Sequence, residues 1–347
     1  MRTLITSLCF ILLLSTVSPA KIVFKSIDEG FTGMYVMDDD GSKVKLLIGK
    51  SVPGNPRWSP DGKQIVFGNY NFDIKVGPQG SYISIMNADG TNIRQLTKTD
   101  NGSANYPSFS PDGKQILYSR SHKDKQRSIN TLDLDSGEIK EIAHVRASSP
   151  NWSPDGKQIV YSTHPFGGDT GGNLWIMDAD GNNVRQLLPD PEDGQRILRT
   201  IPRWSPDGKQ ILYAQSEYEV QQVGKIVVEI HKAHRYMICD QNGENILELD
   251  VPKNWKPMGI DWMDDGESVV ISMREIELNK LNFVGLLDYH IYKYHIATEK
   301  LTELTNPEVG GYEVDWVRGD ALSVSPEGKK RTQWGEIKKD SLDLGDK

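Results

Sequence analysis

Arg57-Trp58-Ser59-Pro60-Asp61-Gly62-Lys63-Gln64-Ile65-Val66-Phe67 decides the fold, because the chain writes it again and again. Ser108-Phe109 through Tyr118, Asn151-Trp152 through Tyr161 and Arg203-Trp204 through Tyr213 are further copies, each with Ser-Pro-Asp-Gly at its centre. A worn copy runs Asp261-Trp262-Met263-Asp264-Asp265-Gly266, and a sixth survives only as Val314-Asp315-Trp316-Val317. The aromatic anchors are 51, 43, 52, 58 and 54 residues apart, a period that belongs to repeat architectures.

Each copy is strand, turn and strand. Pro presets φ near −65° at the second turn position, Asp bonds its own backbone, and Gly accepts the positive φ that closes the bend. Apolar residues alternate after the turn, as Ile65 and Phe67 or Ile159 and Tyr161 do. The anchor before the turn is a large apolar body expected to pack between repeats. A second element follows, such as Tyr82 to Gly90 or Leu174-Trp175-Ile176-Met177-Asp178-Ala179-Asp180-Gly181, ending on a hairpin signal. A short closing strand such as Val184 to Leu188 completes four antiparallel strands, the content of one propeller blade.

The expected fold is therefore all-β, a six-bladed β-propeller of four-stranded antiparallel blades. Residues 21–48 resemble the part of a blade that follows the anchor, and Trp316 is an anchor without three clear strands after it. The two partial units complete each other, so the C-terminal strand is expected to pair with the N-terminal strands and close the ring, leaving no open edge.

Residues 1–20 stand apart as a signal-peptide pattern: a basic start at Arg2, an apolar core from Leu8 to Leu14, and small residues at Ser18-Pro19-Ala20. The expected division is a signal peptide over 1–20, a propeller over 21–320 and a tail over 321–347, and the expected location is periplasmic or secreted. No membrane span is expected once the signal is cleaved. Removing the signal leaves Cys239 alone, a small buried hydrophobe with no disulfide partner. With 40 basic and 48 acidic residues and no basic stripe, a nucleic-acid partner is not expected.

The chemistry is sparse. No Gly-x-Ser-x-Gly, phosphate-cradling glycine loop or His-Glu-x-x-His occurs. His231 and His234 lie three apart in an extended stretch, which puts them on opposite faces of a strand. His290 and His295 fail by the same parity. Asp178-Ala179-Asp180-Gly181 and Asp38-Asp39-Asp40-Gly41 lack the distal ligands of a calcium loop and read as turns. No cofactor and no metal are expected.

Turns such as Ser59–Gly62 and Asp178–Gly181 are short and uniform and fall on one face of the ring. The connections over 68–81, 120–128, 163–173, 189–201, 215–231 and 274–288 are long, unlike one another and on the other face. Variable loops on a rigid scaffold carry function. The candidate ligand- or partner-binding residues are Tyr70, Arg120, His122, His164, Arg199, Tyr218 and Arg274.

The run Trp-Ser-Pro-Asp-Gly-Lys-Gln-Ile-Val-Phe, followed by Ile-x-x-Met-Asn/Asp-Ala-Asp-Gly-x-Asn-x-Arg-Gln-Leu, resembles the propeller repeat of the periplasmic TolB family. Similar repeats occur in the propeller of prolyl oligopeptidases. The resemblance covers about residues 21–320 and implies a propeller whose funnel and channel bind protein or peptide partners. TolB carries an α/β domain before its propeller, whereas blade sequence starts here at Lys21. The expectation is an exported, monomeric, non-catalytic binding module that recognises a protein or peptide. The alternative is a lyase or hydrolase acting on a carbohydrate or peptide in the funnel, with Arg120, His122, His164 and Arg274 supplying its base and charge-stabilising groups.

Overall fold

The computed structural model describes residues 20–28, 31–49, 53–73, 77–99, 102–122, 127–163, 172–192, 196–223, 226–279, 289–305 and 310–318. Residues 1–19 of the expected signal peptide, the tail and His164 lie outside them. Among the described residues, the strands assemble into six four-stranded antiparallel sheets. Their inner strands are Tyr312–Val317, Pro53–Trp58, Ser103–Phe109, Ala147–Trp152, Ile197–Trp204 and Trp255–Trp262, taken as blades 1 to 6.

The ring closes as expected. Blade 1 takes its inner strand from the C-terminal side and its other three from the N-terminal side, with Lys21 opposite Val317 and Ile22 opposite Trp316. Distant parts of the chain thereby share one sheet, and no edge is left between first and last blades.

Six apolar clusters hold the blades together, one at each seam. Val23, Met34 and Val36 of blade 1 meet Trp58, Ile65 and Phe67 of blade 2. Leu117 and Ile129 of blade 3 meet Trp152 and Ile159 of blade 4. The anchors Trp58, Phe109, Trp152, Trp204 and Trp262 are all buried, as their size demands. Cys239 is fully buried at the seam of blades 4 and 5, and burial pushes its thiol up to about 12.

The turns repeat atom for atom. Ser59 Oγ donates to Asp61 Oδ1 at 2.6 Å and accepts from the Gln64 N–H at 2.9 Å, and Asp61 accepts from the Lys63 N–H. The same three bonds recur at Ser110, Ser153 and Ser205. In the worn copy Met263 replaces the serine, and Ser268 from the far side of the turn donates to Asp265 instead. The turn glycines hold φ of 63–73°. A Cβ on Gly113, Gly156 or Gly208 would touch the proline of the preceding turn, so the turns pack as a ring of their own.

Two of the expected long connections are mostly strand. Gln210–Val223 and Ile226–Asp240 pair along their length across blade 5, with one register shift, and Gln64–Asp73 pairs with Gly77–Asn87 in blade 2. The stretch Val220 to Ile230 is rich in β-branched residues, which favour strand over loop. Among the described residues no helix is long and apolar enough to cross a membrane.

Candidate functional site: the central channel

Proline two residues before an anchor shapes the channel. Pro56, Pro107, Pro150 and Pro202 occupy that place in blades 2 to 5. Proline has no N–H for the ladder, so it sits in a strand only at an edge or a bulge. Each of these inner strands bulges there: the register shifts between Gly54 and Arg57, Asn105 and Ser108, Ser148 and Asn151, and Thr200 and Arg203. Blade 1 shifts at the matching place without the proline, and blade 6 shifts earlier, between Pro257 and Gly259.

The bulge forces the residue three before the anchor into left-handed backbone. Asn55, Tyr106, Ser149, Ile201 and Glu313 have φ of 50–56°, while Gly259, at the equivalent sequence position in blade 6, is not left-handed. Such a φ is costly for a residue with a Cβ, most of all for a β-branched one such as Ile201. All six residues line one cavity of about 490 Å³ on the ring axis. The turns are nearly identical from copy to copy, while these six positions carry six different residue types.

A second ring lies just after the bulges, formed by the residues immediately before the anchors: Arg57, Ser108, Asn151, Arg203, Asp261 and Asp315. Several reach the next blade. Asp315 accepts from the Trp58 N–H at 2.6 Å, Asn151 from the Trp204 N–H at 3.0 Å, and Asp261 from the Trp316 N–H at 3.1 Å. Arg57 donates to Asp315 Oδ1 at 2.6 Å and to the Val314 carbonyl. Asp261 and Asp315 are also hydrogen-bonded to each other. Burial drives both carboxyls above their ordinary range, Arg57 opposes it, and the neighbouring carboxylate pushes Asp315 further up. Two neighbouring carboxyls in a dry site disfavour ionising both, which is why each is raised despite the guanidinium.

The wall between blades 1, 2 and 3 is aromatic and acidic. Tyr70 and Tyr106 are partly exposed within the cavity lining, 42% and 37% respectively. Burial, and then the Glu313 carboxylate, push the Tyr70 phenol up to about 12, so it stays a neutral donor. Glu313 accepts from the Asn55 N–H at 2.7 Å and lies 3.9 Å from Lys25, which sits over the Tyr312 ring. Gly54 leaves room for this wall: a Cβ there would come within 3.1 Å of the Tyr70 ring.

Of the residues expected from the sequence, Tyr70 lines this cavity. Arg120 and His122 lie on blade 3, where His122 bonds Ser128 at 2.9 Å and stacks against His144. Arg199 is buried and spends its guanidinium on Asn173, the Pro189 carbonyl and Gln215, which ties down the connection into blade 5. Tyr218 is buried on blade 5, and Arg274 lies near the Tyr289 ring on blade 6, across the ring from blade 3. Arg120, His122 and Arg274 therefore do not converge. Among the described residues no group of three His, Cys, Asp or Glu is placed to hold a metal.

The two rings were missed by loop-based reasoning because they lie on strands. The signal was present: a proline two before four of six anchors, and an unusually variable column on either side of it.

Residues 16–188 match a family model described as the TolB beta propeller domain. An uncharacterized protein of Agrobacterium fabrum (strain C58) is 28% identical over 205 residues, 54% of this chain and 63% of that protein. Dipeptidyl-peptidase 5 of Porphyromonas endodontalis is 35% identical over 88 residues, 25% of this chain and 12% of the peptidase. The crystal structure of TolB from Acinetobacter baumannii superposes with a TM-score of 0.63 at 19% identity, covering 86% of this chain and 66% of that one. The chain thus spans less than two thirds of the length of each, and the structural likeness is one of fold.

Proposed function

From the premise that this chain belongs to the TolB-like β-propeller family, we propose that it is an exported recognition module that binds a protein or peptide segment in its central channel. The observation that carries this reading is a ring of six different residues, five of them held in left-handed backbone, around one cavity. Backbone strain persists where function requires it, and a ring of unlike residues on a repeated scaffold is what recognition of an asymmetric partner needs.

The lining supports the same reading. Tyr70 and Tyr106 supply stiff amphipathic area, while Asn105, Ser121, Ser148 and Thr200 supply adaptable hydrogen bonds. That mixture is the chemistry of protein-binding surfaces. Export is supported by the signal-like residues 1–20.

Site-specific photocrosslinking in the native host tests the reading. A crosslinker at Tyr106 is expected to trap a defined partner, and one at Lys157 on the turn face is not. Ser149→Trp, which fills the channel, is expected to abolish the Tyr106 product. Equal products from both faces, or a Tyr106 product indifferent to Ser149→Trp, would sink it.

A further inference from the structure

Arg57 and Arg203 occupy the same place in their blades, immediately before the anchor, and both line the channel. Their surroundings differ. Arg57 has Asp315 at 2.6 Å. Arg203 is 6% exposed, donates from one terminal nitrogen to the Pro202 carbonyl, and leaves its Nε without a partner. Among the described residues no carboxylate lies within ion-pair distance of it. The acids at the equivalent positions of blades 6 and 1, Asp261 and Asp315, are engaged with each other, with Arg57 and with backbone N–H groups.

A guanidinium does not lose its proton in a protein, and an uncompensated buried charge is destabilising. The scaffold offers two ready remedies, an acid in the neighbouring blade or a neutral residue such as Ser108 or Asn151, and uses both elsewhere in the same ring. At blade 5 it uses neither. The cavity also carries Arg127 and Lys256, against Glu313 as the acid in its lining, in a chain whose formal charge is −8.

We infer that the channel takes an acidic peptide segment and that Arg203 is the counter-charge for its carboxylate. The inference rests on the recognition reading above and names the chemistry of the segment. A planar guanidinium offers a carboxylate two parallel N–H donors, and in a desolvated cavity that pairing selects strongly for charge.

The test is a selection from a random hexapeptide library, N-acetylated and C-amidated, so that side chains supply the only charges. Bound peptides are identified by mass spectrometry for the wild-type protein, Arg203→Met, Arg203→Lys and the channel-filled Ser149→Trp. The wild-type pool is expected to be enriched in Asp and Glu over the amides Asn and Gln by about tenfold, the scale of a buried charge pair. Arg203→Met is expected to erase that enrichment, and Arg203→Lys to keep part of it. Circular dichroism melting verifies that each variant is folded. Should Arg203→Met not fold, wild type, Arg203→Lys and Ser149→Trp still decide the matter.

An absent acidic excess, an excess unchanged in Arg203→Met, or an excess unchanged in Ser149→Trp each overturns the inference. If the excess is absent while the Tyr106 crosslink still forms, the recognition reading stands without it. If neither appears, both fall.

Discussion

The imidazole rings of His231 and His234 lie with centroids 5.0 Å apart, although an odd spacing on a regular strand would send them to opposite faces. The cause is a bulge. Glu217 pairs with Ala233 and Tyr218 with His231, which leaves Lys232 as the extra residue and turns the histidines toward each other. His234 is fully buried and bonded to Ser216 at 2.8 Å, while Lys256 stands 3.4 Å from His231.

This pair sets an acid limit on stability. Burial first, then Lys256 and Arg274, bring His231 down to about 4, and burial with His231 and Lys256 brings His234 down to about 3. Both folded values lie below the ordinary imidazole value of about 6.5, so the unfolded chain binds more protons in between. The contribution is complete above about pH 6.5 and is lost as pH falls toward 4. The melting temperature should drop between pH 7 and pH 5, and His231→Gln should flatten that slope. A slope unchanged in the variant would contradict the account.

The Asp261–Asp315 pair acts with the opposite sign. Its carboxyls are raised in the folded state, so its contribution is complete below the ordinary carboxylate value of about 4 and is lost as pH rises above it. Asp261→Asn removes one of the two neighbouring carboxyls and keeps an acceptor for the Trp316 N–H. The variant should fold, with a weaker loss of stability as pH rises, read from a series of melts that starts at about pH 4. Arg57→Met strands the carboxyls and should cost about 3–5 kcal/mol in urea unfolding.

The bulge ring predicts a trade between stability and binding. Ser149→Gly relieves a left-handed φ of 50° at a buried serine and should stabilise the fold by about 1 kcal/mol. At Gly259 the reverse holds, because a Cβ would lie 2.7 Å from the Val314 nitrogen and 2.8 Å from Ser272 Oγ. Gly259→Ala should lower the melting temperature, and equal melts for the two variants would refute the assignment of strain.

The seam anchors should be equivalent in kind. Trp152→Ala empties the cluster between blades 3 and 4 and should cost about 3–5 kcal/mol. Ser110→Ala removes one donor and one acceptor of a turn and should cost about 1 kcal/mol. Chemical denaturation of both variants checks the ratio.

The repeat by itself determined the blade count, the four-stranded blades, the seam anchors and the closure through Trp316, because these follow from local rules applied six times. Turn chemistry, alternation and large apolar bodies are all written within a dozen residues of one another. Only the tertiary structure decided what meets on the axis. Arg57 finds Asp315 across 258 positions because the ring closes, whereas Arg203, with the same local sequence, finds no acid among the described residues. The bulges decided which residues face the cavity, and one extra residue at Lys232 reversed the parity that separated two histidines. Side-chain direction in a strand is a running count, and a bulge resets the count at a place that only packing between blades selects.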